Sequence, residues 1–128
     1  MTPSVVEHVS SWEVRRSRGG GYFYRPTVLG DVTPDARLLK EEIFGPVAPV
    51  TSFEDEEAAV AAANDTEFGL VAYVYTNDLR RALRVVEALD VGMVGVNQGI
   101  VSNASAPFGG VKQSGIGREG ATRGLRST

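Results

Sequence analysis

The stretch that decides the fold class is LVAYVYTNDLRRALRVVEALDVGMVGVN, residues 70–97. Its first seven residues form a near-continuous apolar run, which is typical of a strand buried on both faces of a parallel sheet. The middle predicts a helix with Asn77 or Thr76 as its N-cap. Its apolar residues recur at helical spacing: Leu79, Ala82, Leu83, Val86 and Leu89. The final seven residues, VGMVGVN, predict the last strand of the fold.

The upstream sequence repeats this alternation. YFYRPTVLGDV, residues 22–32, has strand character, and Pro26 places that part at a sheet edge. TPDARLLKEEIFGP, residues 33–46, predicts a short helix that begins at an N-cap, Thr33, and stops at Gly45-Pro46.

A second strand and a second helix follow before residue 70. VAPVTSF, residues 47–53, is a β-branched run broken by Pro49. EDEEAAVAAANDTEFG, residues 54–69, predicts a helix whose acidic first turn complements the helix dipole. Strands and helices that alternate through short connections indicate an α/β fold built of parallel, right-handed βαβ units.

Composition excludes several classes of protein. The 128 residues suit one domain, and 42% hydrophobic with 23% charged residues is near the globular average. A net charge of −3 gives no basic footprint for nucleic acid. No apolar run approaches the roughly 20 residues that a membrane-spanning helix needs, and the N-terminus has no secretory signal pattern. We therefore expect a cytoplasmic protein that binds neither nucleic acid nor membrane.

Cysteine is absent and His8 is the single histidine. These residues therefore provide no disulfide, no thiolate or multi-histidine metal site, no cysteine nucleophile and no histidine-based triad. We expect no metal site and no catalytic residue within this chain. His8 lies in a polar segment and is interpreted as an ordinary surface residue.

A glycine-rich stretch near the end matches a nucleotide-binding spacing. SGIGREG, residues 114–120, contains G-x-G-x-x-G. That pattern needs a preceding strand, a following helix and an acidic residue roughly 20 positions on. No acidic residue follows it here, and the preceding APFGGVKQ contains proline and glycines that are typical of a turn rather than a strand. The favoured interpretation is a loop packed against something larger.

Two groups of side chains are candidates for binding. Glu41 and Glu42 end the predicted 33–46 helix, where carboxylates oppose the helix dipole and could instead accept hydrogen bonds from a sugar diol. Phe44 and Phe108 are each either core residues or apolar walls of a pocket.

Polar residues follow the predicted last strand, and ligand sites in parallel sheets collect at the carboxyl ends of strands. They are placed either to touch a substrate or to form turns: Asn97, Gln98, Ser102 and Asn103. Further along, Lys112 and Arg118 could bind an anion, although solvation is the simpler account, and Arg118 could pair with Glu119.

Several long stretches, in order, resemble the C-terminal part of the NAD(P)-dependent aldehyde dehydrogenases. They are GYFYRPTVL, LLKEEIFGPVAPV, AANDTEFGLVAYVYTNDLRRA, GMVGVN and APFGGVKQSGIGREG. VNQGIVSNASAPFGGVKQSGIGREG is most similar to the succinate-semialdehyde dehydrogenase subgroup. The resemblance implies the aldehyde dehydrogenase catalytic fold, with NAD or NADP as the cofactor of the full-length enzyme and an aldehyde as its substrate.

The resemblance also implies residue roles. Glu42 would bind the nicotinamide ribose hydroxyls and Phe44 would pack near the nicotinamide. Phe108 would line the aldehyde tunnel, and Ser102 would help to hold the distal carboxylate of the substrate. SGIGREG would be a conformational loop near the substrate and the subunit face, with the nucleotide phosphates held elsewhere.

In the family reaction a cysteine thiolate adds to the aldehyde, hydride passes to the nicotinamide, and a glutamate base promotes thioester hydrolysis. The cysteine, that glutamate and the nucleotide-binding domain would all lie N-terminal to the residues present here. We therefore expect a partial catalytic domain, residues 21–128, truncated at both ends and preceded by a poorly ordered, non-family segment, residues 1–20.

Such a fragment is expected to be inactive alone and to expose surface that a full enzyme buries. Association with other subunits is the expected partnership. The alternatives are a non-catalytic module that binds full-length aldehyde dehydrogenase subunits, and a degenerate gene product.

Overall fold

The computed structural model describes residues 23–24 and 26–120. The chain divides into two compact units, Met1–Ser52 and Phe53–Thr128. The predictions of poor order for residues 1–20 and of a surface position for His8 lie outside the described residues.

The first unit is built on two short parallel strands. Strand β1 (Thr27–Leu29) pairs with β2 (Val47–Pro49). The Thr27 amide donates to the Pro46 carbonyl at 2.8 Å, and the Val50 amide donates to the Leu29 carbonyl at 2.7 Å. The Val50 amide thus extends the pairing one residue beyond Pro49, the last residue of β2.

The prediction of a helix at residues 33–46 is wrong. The structure has a single 3-10 turn there, Arg37–Leu39, preceded by an extended Ala36 and closed at Lys40. None of its residues is buried, and a short helix without packing is only marginally stable. Glu41 and Glu42 lie beyond this turn, so the argument that they oppose a helix dipole does not hold.

The second unit begins with the helix α1, Glu56–Asn64. The Asp55 side chain caps it by accepting the Ala58 amide at 2.8 Å, and Glu56 and Glu57 occupy its first turn. This confirms the predicted helix with an acidic first turn, which favours the positive end of the helix dipole.

Helix α2, Leu79–Ala88, lies where helical spacing predicts it. Its N-cap differs from the prediction, because the Asp78 side chain accepts the amides of Arg80 and Arg81 at 2.8 and 3.2 Å. Thr76 acts one step earlier, since its hydroxyl accepts the Asp78 amide at 3.1 Å. The N-cap is therefore Asp78, one residue after the predicted candidate Asn77.

Strands β4 (Val71–Val74) and β5 (Met93–Val96) flank α2 in sequence and pair in parallel. Helix α2 contacts both β4 and α1, as expected of a βαβ unit. Ala82 on α2 is 6% exposed and is the one buried hydrophobic side chain among the described residues. The other apolar side chains that the structure describes in this unit are half-buried or exposed.

An antiparallel pair was not anticipated from sequence. Strand β3 (Phe68–Gly69) pairs with β6 (Val111–Lys112), so VGMVGVN does not supply the last strand. The Gly92 amide donates to the Gly69 carbonyl at 3.0 Å. A side chain at Gly92 would meet the backbone of Gly109 and Gly110, so glycine is needed for this close approach.

Candidate functional site

In the first unit, Phe44 lies on an open concave surface of about 640 Å³. Its side chain is 92% exposed, so the core alternative does not hold within the described residues. The same surface is lined by Phe23, Tyr24, Ile43, Gly45, Pro46 and Val47. The pairing of Thr27 with Pro46 fixes the far end of the segment that carries Phe44.

The two neighbouring glutamates differ in their surroundings. Arg37 donates to both carboxylate oxygens of Glu41, at 2.8 to 3.1 Å. This pairing occupies the Glu41 carboxylate. Glu42 is exposed, so an accessible carboxylate and an exposed aromatic ring, Phe44, lie two residues apart in sequence.

In the second unit, the loop after β5 is tied to the end of β4. The side-chain oxygen of Asn97 accepts the Thr76 amide at 3.0 Å, and its Nδ2 donates to the Thr76 carbonyl at 2.9 Å. The Tyr75 hydroxyl donates to the Gln98 carbonyl at 2.9 Å. Asn97 has a φ of 52°, a conformation that asparagine tolerates well. Its amide therefore serves turn chemistry, the alternative to substrate contact.

The middle of this loop contains a second turn. The Asn103 side-chain oxygen accepts the Ser105 amide at 2.9 Å and the Ser105 hydroxyl at 2.7 Å. The Ala106 amide also donates to the Asn103 carbonyl, at 3.0 Å. Asn103 is thus a turn residue, and Ser102 lies exposed immediately before it.

The loop ends at Phe108, which is half-buried. Phe108 and Glu119 exchange two backbone hydrogen bonds, at 2.8 and 2.7 Å. The stretch SGIGREG therefore folds back on Phe108, with positive φ at Gly115 and Gly120, and no helix begins between residues 113 and 120. This agrees with the favoured interpretation of a packed glycine-rich loop, although a two-residue strand, β6, does precede it.

Lys112 and Arg118 are both half-buried, and both make contacts within the second unit. Nζ of Lys112 donates to the Asn64 carbonyl at 3.0 Å and lies 3.0 Å from an Asp90 carboxylate oxygen. Nη1 of Arg118 donates to the Gly110 carbonyl at 2.6 Å. The structure shows this contact in place of the suggested Arg118–Glu119 pair. Sequence alone carries little signal for such contacts, because the acceptors are main-chain carbonyls.

In the second unit, the groups with shifted pKa values lie at the helices α1 and α2 rather than in the loop after β5. Arg84 donates to both carboxylate oxygens of Glu56, at 3.0 and 2.9 Å, and Arg81 donates at 3.2 Å. The Arg84 hydrogen bond is the main cause that lowers the pKa of Glu56, and the same contact raises the pKa of Arg84. Backbone amides of Arg81 and Arg80 lower the pKa of Asp78. These groups tie α1 to α2 and cap α2.

A second concave surface of about 590 Å³ lies over α1, α2 and β4. Its apolar lining includes Phe53, Val60, Tyr73, Val85 and Leu89.

Among the described residues, no group of three or more His, Cys, Asp or Glu side chains is arranged to hold a metal ion. No helix within that part of the chain is long and apolar enough to cross a membrane.

Comparison with known proteins decides the family. The model of the aldehyde dehydrogenase family matches residues 6–128. The chain belongs to the aldehyde dehydrogenase family. The resemblance drawn from GYFYRPTVL, LLKEEIFGPVAPV and APFGGVKQSGIGREG is confirmed.

Among curated relatives, the succinate-semialdehyde dehydrogenase of Paenarthrobacter nicotinovorans is 61% identical over 107 residues, which are 84% of this chain and 24% of the relative. The NADP(+) succinate-semialdehyde dehydrogenase of Escherichia coli K12 is 58% identical over 106 residues, 83% of this chain and 22% of that enzyme. The chain thus spans about a quarter of the length of these aldehyde dehydrogenases.

A solved structure confirms the α/β fold. The crystal structure of succinate-semialdehyde dehydrogenase from Burkholderia pseudomallei superimposes with a TM-score of 0.77 at 59% identity. The match covers 80% of this chain and 21% of that aldehyde dehydrogenase.

Proposed function

We propose that this chain supplies part of the catalytic domain of a longer NAD(P)-dependent aldehyde dehydrogenase that oxidises succinate semialdehyde. The observation that carries the proposal is the 61% identity with a succinate-semialdehyde dehydrogenase over 107 residues. The relative from Escherichia coli, named for NADP(+), supports a nicotinamide cofactor. The substrate class is a short aldehyde with a carboxylate at its far end.

The first unit contributes to the nicotinamide nucleotide site. The exposed Glu42 carboxylate accepts hydrogen bonds from the two ribose hydroxyls, as carboxylates with several lone pairs do well. The exposed ring of Phe44 provides an apolar surface beside the flat nicotinamide. When bound, the nicotinamide takes the hydride that the aldehyde loses.

The second unit contributes to the aldehyde site. The Ser102 hydroxyl donates a hydrogen bond to the distal carboxylate of the substrate, and its position before the Asn103 turn leaves it accessible. Phe108 packs against the methylene groups between carboxylate and aldehyde. A charge-assisted hydrogen bond favours a substrate with a carboxylate over an uncharged aldehyde.

The covalent step is supplied by residues outside this chain, since none of its 128 residues is cysteine. The thiolate that attacks the aldehyde and the base that activates water for hydrolysis come from the remainder of the catalytic domain. The chain alone is therefore expected to be inactive.

Exposed apolar side chains support association with further polypeptide. Large hydrophobic residues that are mostly exposed include Phe53, Leu79, Ile100 and Ile116. An accumulation of large exposed apolar side chains is expected where a chain contacts other segments or subunits. A non-catalytic module that binds full-length subunits is the second candidate, favoured by Leu79 and Leu83 on the outer face of α2. Capture of an intact aldehyde dehydrogenase subunit by the tagged chain would support this second candidate.

The test is a chimera in which the 106 aligned residues of this chain replace their counterparts in the Escherichia coli enzyme. We expect the chimera to form NADPH from succinate semialdehyde, while the 128-residue chain by itself forms none. A soluble chimera that binds NADP but leaves the aldehyde unoxidised would refute the proposal. Steady NADPH formation by the chain alone would refute its dependence on an external thiolate.

A further inference from the structure

The guanidinium group of Arg118 collects main-chain carbonyls from two segments. Its Nη1 donates to the carbonyls of Gly110 at 2.6 Å, Gly117 at 2.9 Å and Ile116 at 3.2 Å. A planar, permanently charged donor makes stronger hydrogen bonds to carbonyls than a neutral donor does. Arg118 therefore joins the glycine pair after Phe108 to the SGIGREG loop.

The residue next to Arg118, Glu119, holds the backbone of Phe108. The Phe108 amide donates to the Glu119 carbonyl at 2.8 Å, and the Glu119 amide donates back at 2.7 Å. Between the two attachments, Gly109 packs against Arg118, since a Cβ on Gly109 would lie 2.8 Å from Cδ of Arg118. Glu119 thus fixes the backbone before Gly109, at Phe108, and Arg118 fixes it after Gly109, at Gly110.

We propose that Arg118 is a positioning residue for Phe108, and that it sets how closely the ring approaches an entering aldehyde. The second half of this statement rests on the proposed function, in which Phe108 packs against the substrate. Arg118 acts through the Gly110 carbonyl and the glycine turn, and it does not touch the substrate. Its loss frees the turn, so that Phe108 no longer holds one position.

Amide hydrogen exchange on the 128-residue chain tests the positioning role. We expect the amides of Phe108 and Glu119 to be protected, and Arg118→Gln to reduce their protection about tenfold or more, as loss of a charge-assisted hydrogen bond predicts. The Asn97 amide, which donates to the Val74 carbonyl, should keep its protection. Arg118→Lys retains the charge and should restore part of the loss, and Arg80→Gln, on the exposed part of α2, is the matched control.

Three results would overturn the positioning role. The first is unprotected Phe108 and Glu119 amides in the unaltered chain. The second is unchanged protection of these two amides in Arg118→Gln. The third is equal loss of protection at Asn97 in both Arg118 variants, because Arg118 would then support the whole unit rather than Phe108.

Kinetics of the chimera test the consequence for the substrate. Arg118→Gln should raise KM for succinate semialdehyde about tenfold while kcat falls by no more than about threefold, since the variant loosens an apolar contact and leaves the reacting groups in place. A fall in kcat with unchanged KM would contradict this. If the exchange result holds and the unaltered chimera is inactive, the proposed function fails and the positioning role stands. If the chimera is active and Arg118→Gln leaves the protection unchanged, the positioning role fails and the proposed function stands.

Discussion

The side-chain ammonium group of Lys112 donates a hydrogen bond to the carbonyl oxygen of Asn64 at 3.0 Å, and the two residues lie 48 positions apart in sequence. Asn64 is the last residue of α1, and the last turn of that helix contains no basic residue. A cation at the C-terminus of a helix interacts favourably with its exposed carbonyls. Lys112, on β6, therefore supplies from a distant strand the charge that α1 lacks.

Replacing Lys112 with methionine should lower the free energy of unfolding by about 1–2 kcal/mol, because the part-buried Asn64 carbonyl loses a charged donor. Methionine keeps the unbranched stem of the side chain and ends where the ammonium group of lysine begins. Lys112 has a φ of 54°, and methionine meets the same backbone strain, so the difference reports the ammonium group. Urea unfolding followed by circular dichroism measures it.

Asp90→Asn is the control for Lys112→Met. The Asp90 carboxylate is largely exposed and pairs with Lys112 at 3.0 Å. Removing an exposed ion pair should change stability by only about 0–1 kcal/mol. An effect of Asp90→Asn as large as that of Lys112→Met would show that the ion pair, rather than the helix carbonyl, is the important partner.

Two substitutions of Asn97 should separate hydrogen bonding from backbone strain. Asn97→Gly loses both side-chain bonds to Thr76 but accepts the positive φ, so it should lower stability by about 1–2 kcal/mol. Asn97→Ala loses the same bonds and adds about 1 kcal/mol of left-handed strain. Thermal or urea unfolding distinguishes them. Equal stability of the two variants would mean that the backbone relaxes out of the positive-φ region.

Glu56 should make the unfolding free energy pH-dependent in acid. Its pKa in the folded chain lies below the ordinary value of 4.5, chiefly through the Arg84 hydrogen bond. A lowered folded pKa means that the unfolded chain binds the proton first. The stabilisation is complete above the ordinary pKa and is lost as pH falls through the folded value.

Glu56→Gln should therefore be less stable than the unaltered chain at pH 7, and the difference should shrink as pH falls below 4.5. Urea midpoints at several pH values between 7 and 3 measure this convergence. Glu57→Gln, in the same helix turn, controls for a general effect of one lost carboxylate. A difference between Glu56→Gln and the unaltered chain that stays constant with pH would rule out a role for the Arg84 contact.

Much of the architecture was accessible from sequence because its signals are local. Helix α2 follows from apolar spacing, α1 from its acidic first turn and alanine run, and β4 and β5 from apolar runs. The helix expected at residues 33–46 does not form. Helix propensity and the Pro and Gly signals at the ends of a segment do not stabilise a helix without packing, and none of the residues in the 3-10 turn found there is buried. Strands β3 and β6 have two residues each and lie more than 40 residues apart, so no local pattern identifies them.

The candidate site was partly accessible for a similar reason. The sequence indicates that the loop after β5 is rich in polar residues, but it does not distinguish a side chain that holds a turn from one that meets a ligand. The structure assigns Asn97 and Asn103 to turns. Lys112 and Arg118 resemble solvated cations in sequence and bind carbonyls in the fold. The roles of Glu42, Phe44, Ser102 and Phe108 remain predictions.

Glu42→Gln in the chimera should raise KM for NADP about tenfold or more, since an amide replaces the charged acceptor of two ribose hydroxyls. The neighbouring Glu41→Gln is the matched control, because its carboxylate is paired with Arg37. It should leave KM for NADP within about twofold. Steady-state kinetics at saturating aldehyde measures both. Equal effects of the two substitutions would remove the specific assignment of Glu42.

The selectivity of the chimera tests the central claim most directly. The measurement is kcat/KM for succinate semialdehyde divided by kcat/KM for butanal, which has the same number of carbons and no carboxylate. If this chain belongs to an enzyme for carboxylate-bearing aldehydes, the chimera should keep that ratio within about tenfold of the parent Escherichia coli enzyme, because the loop carrying Ser102 and Phe108 then suits the same substrate. A chimera that oxidises both aldehydes equally well would contradict the account.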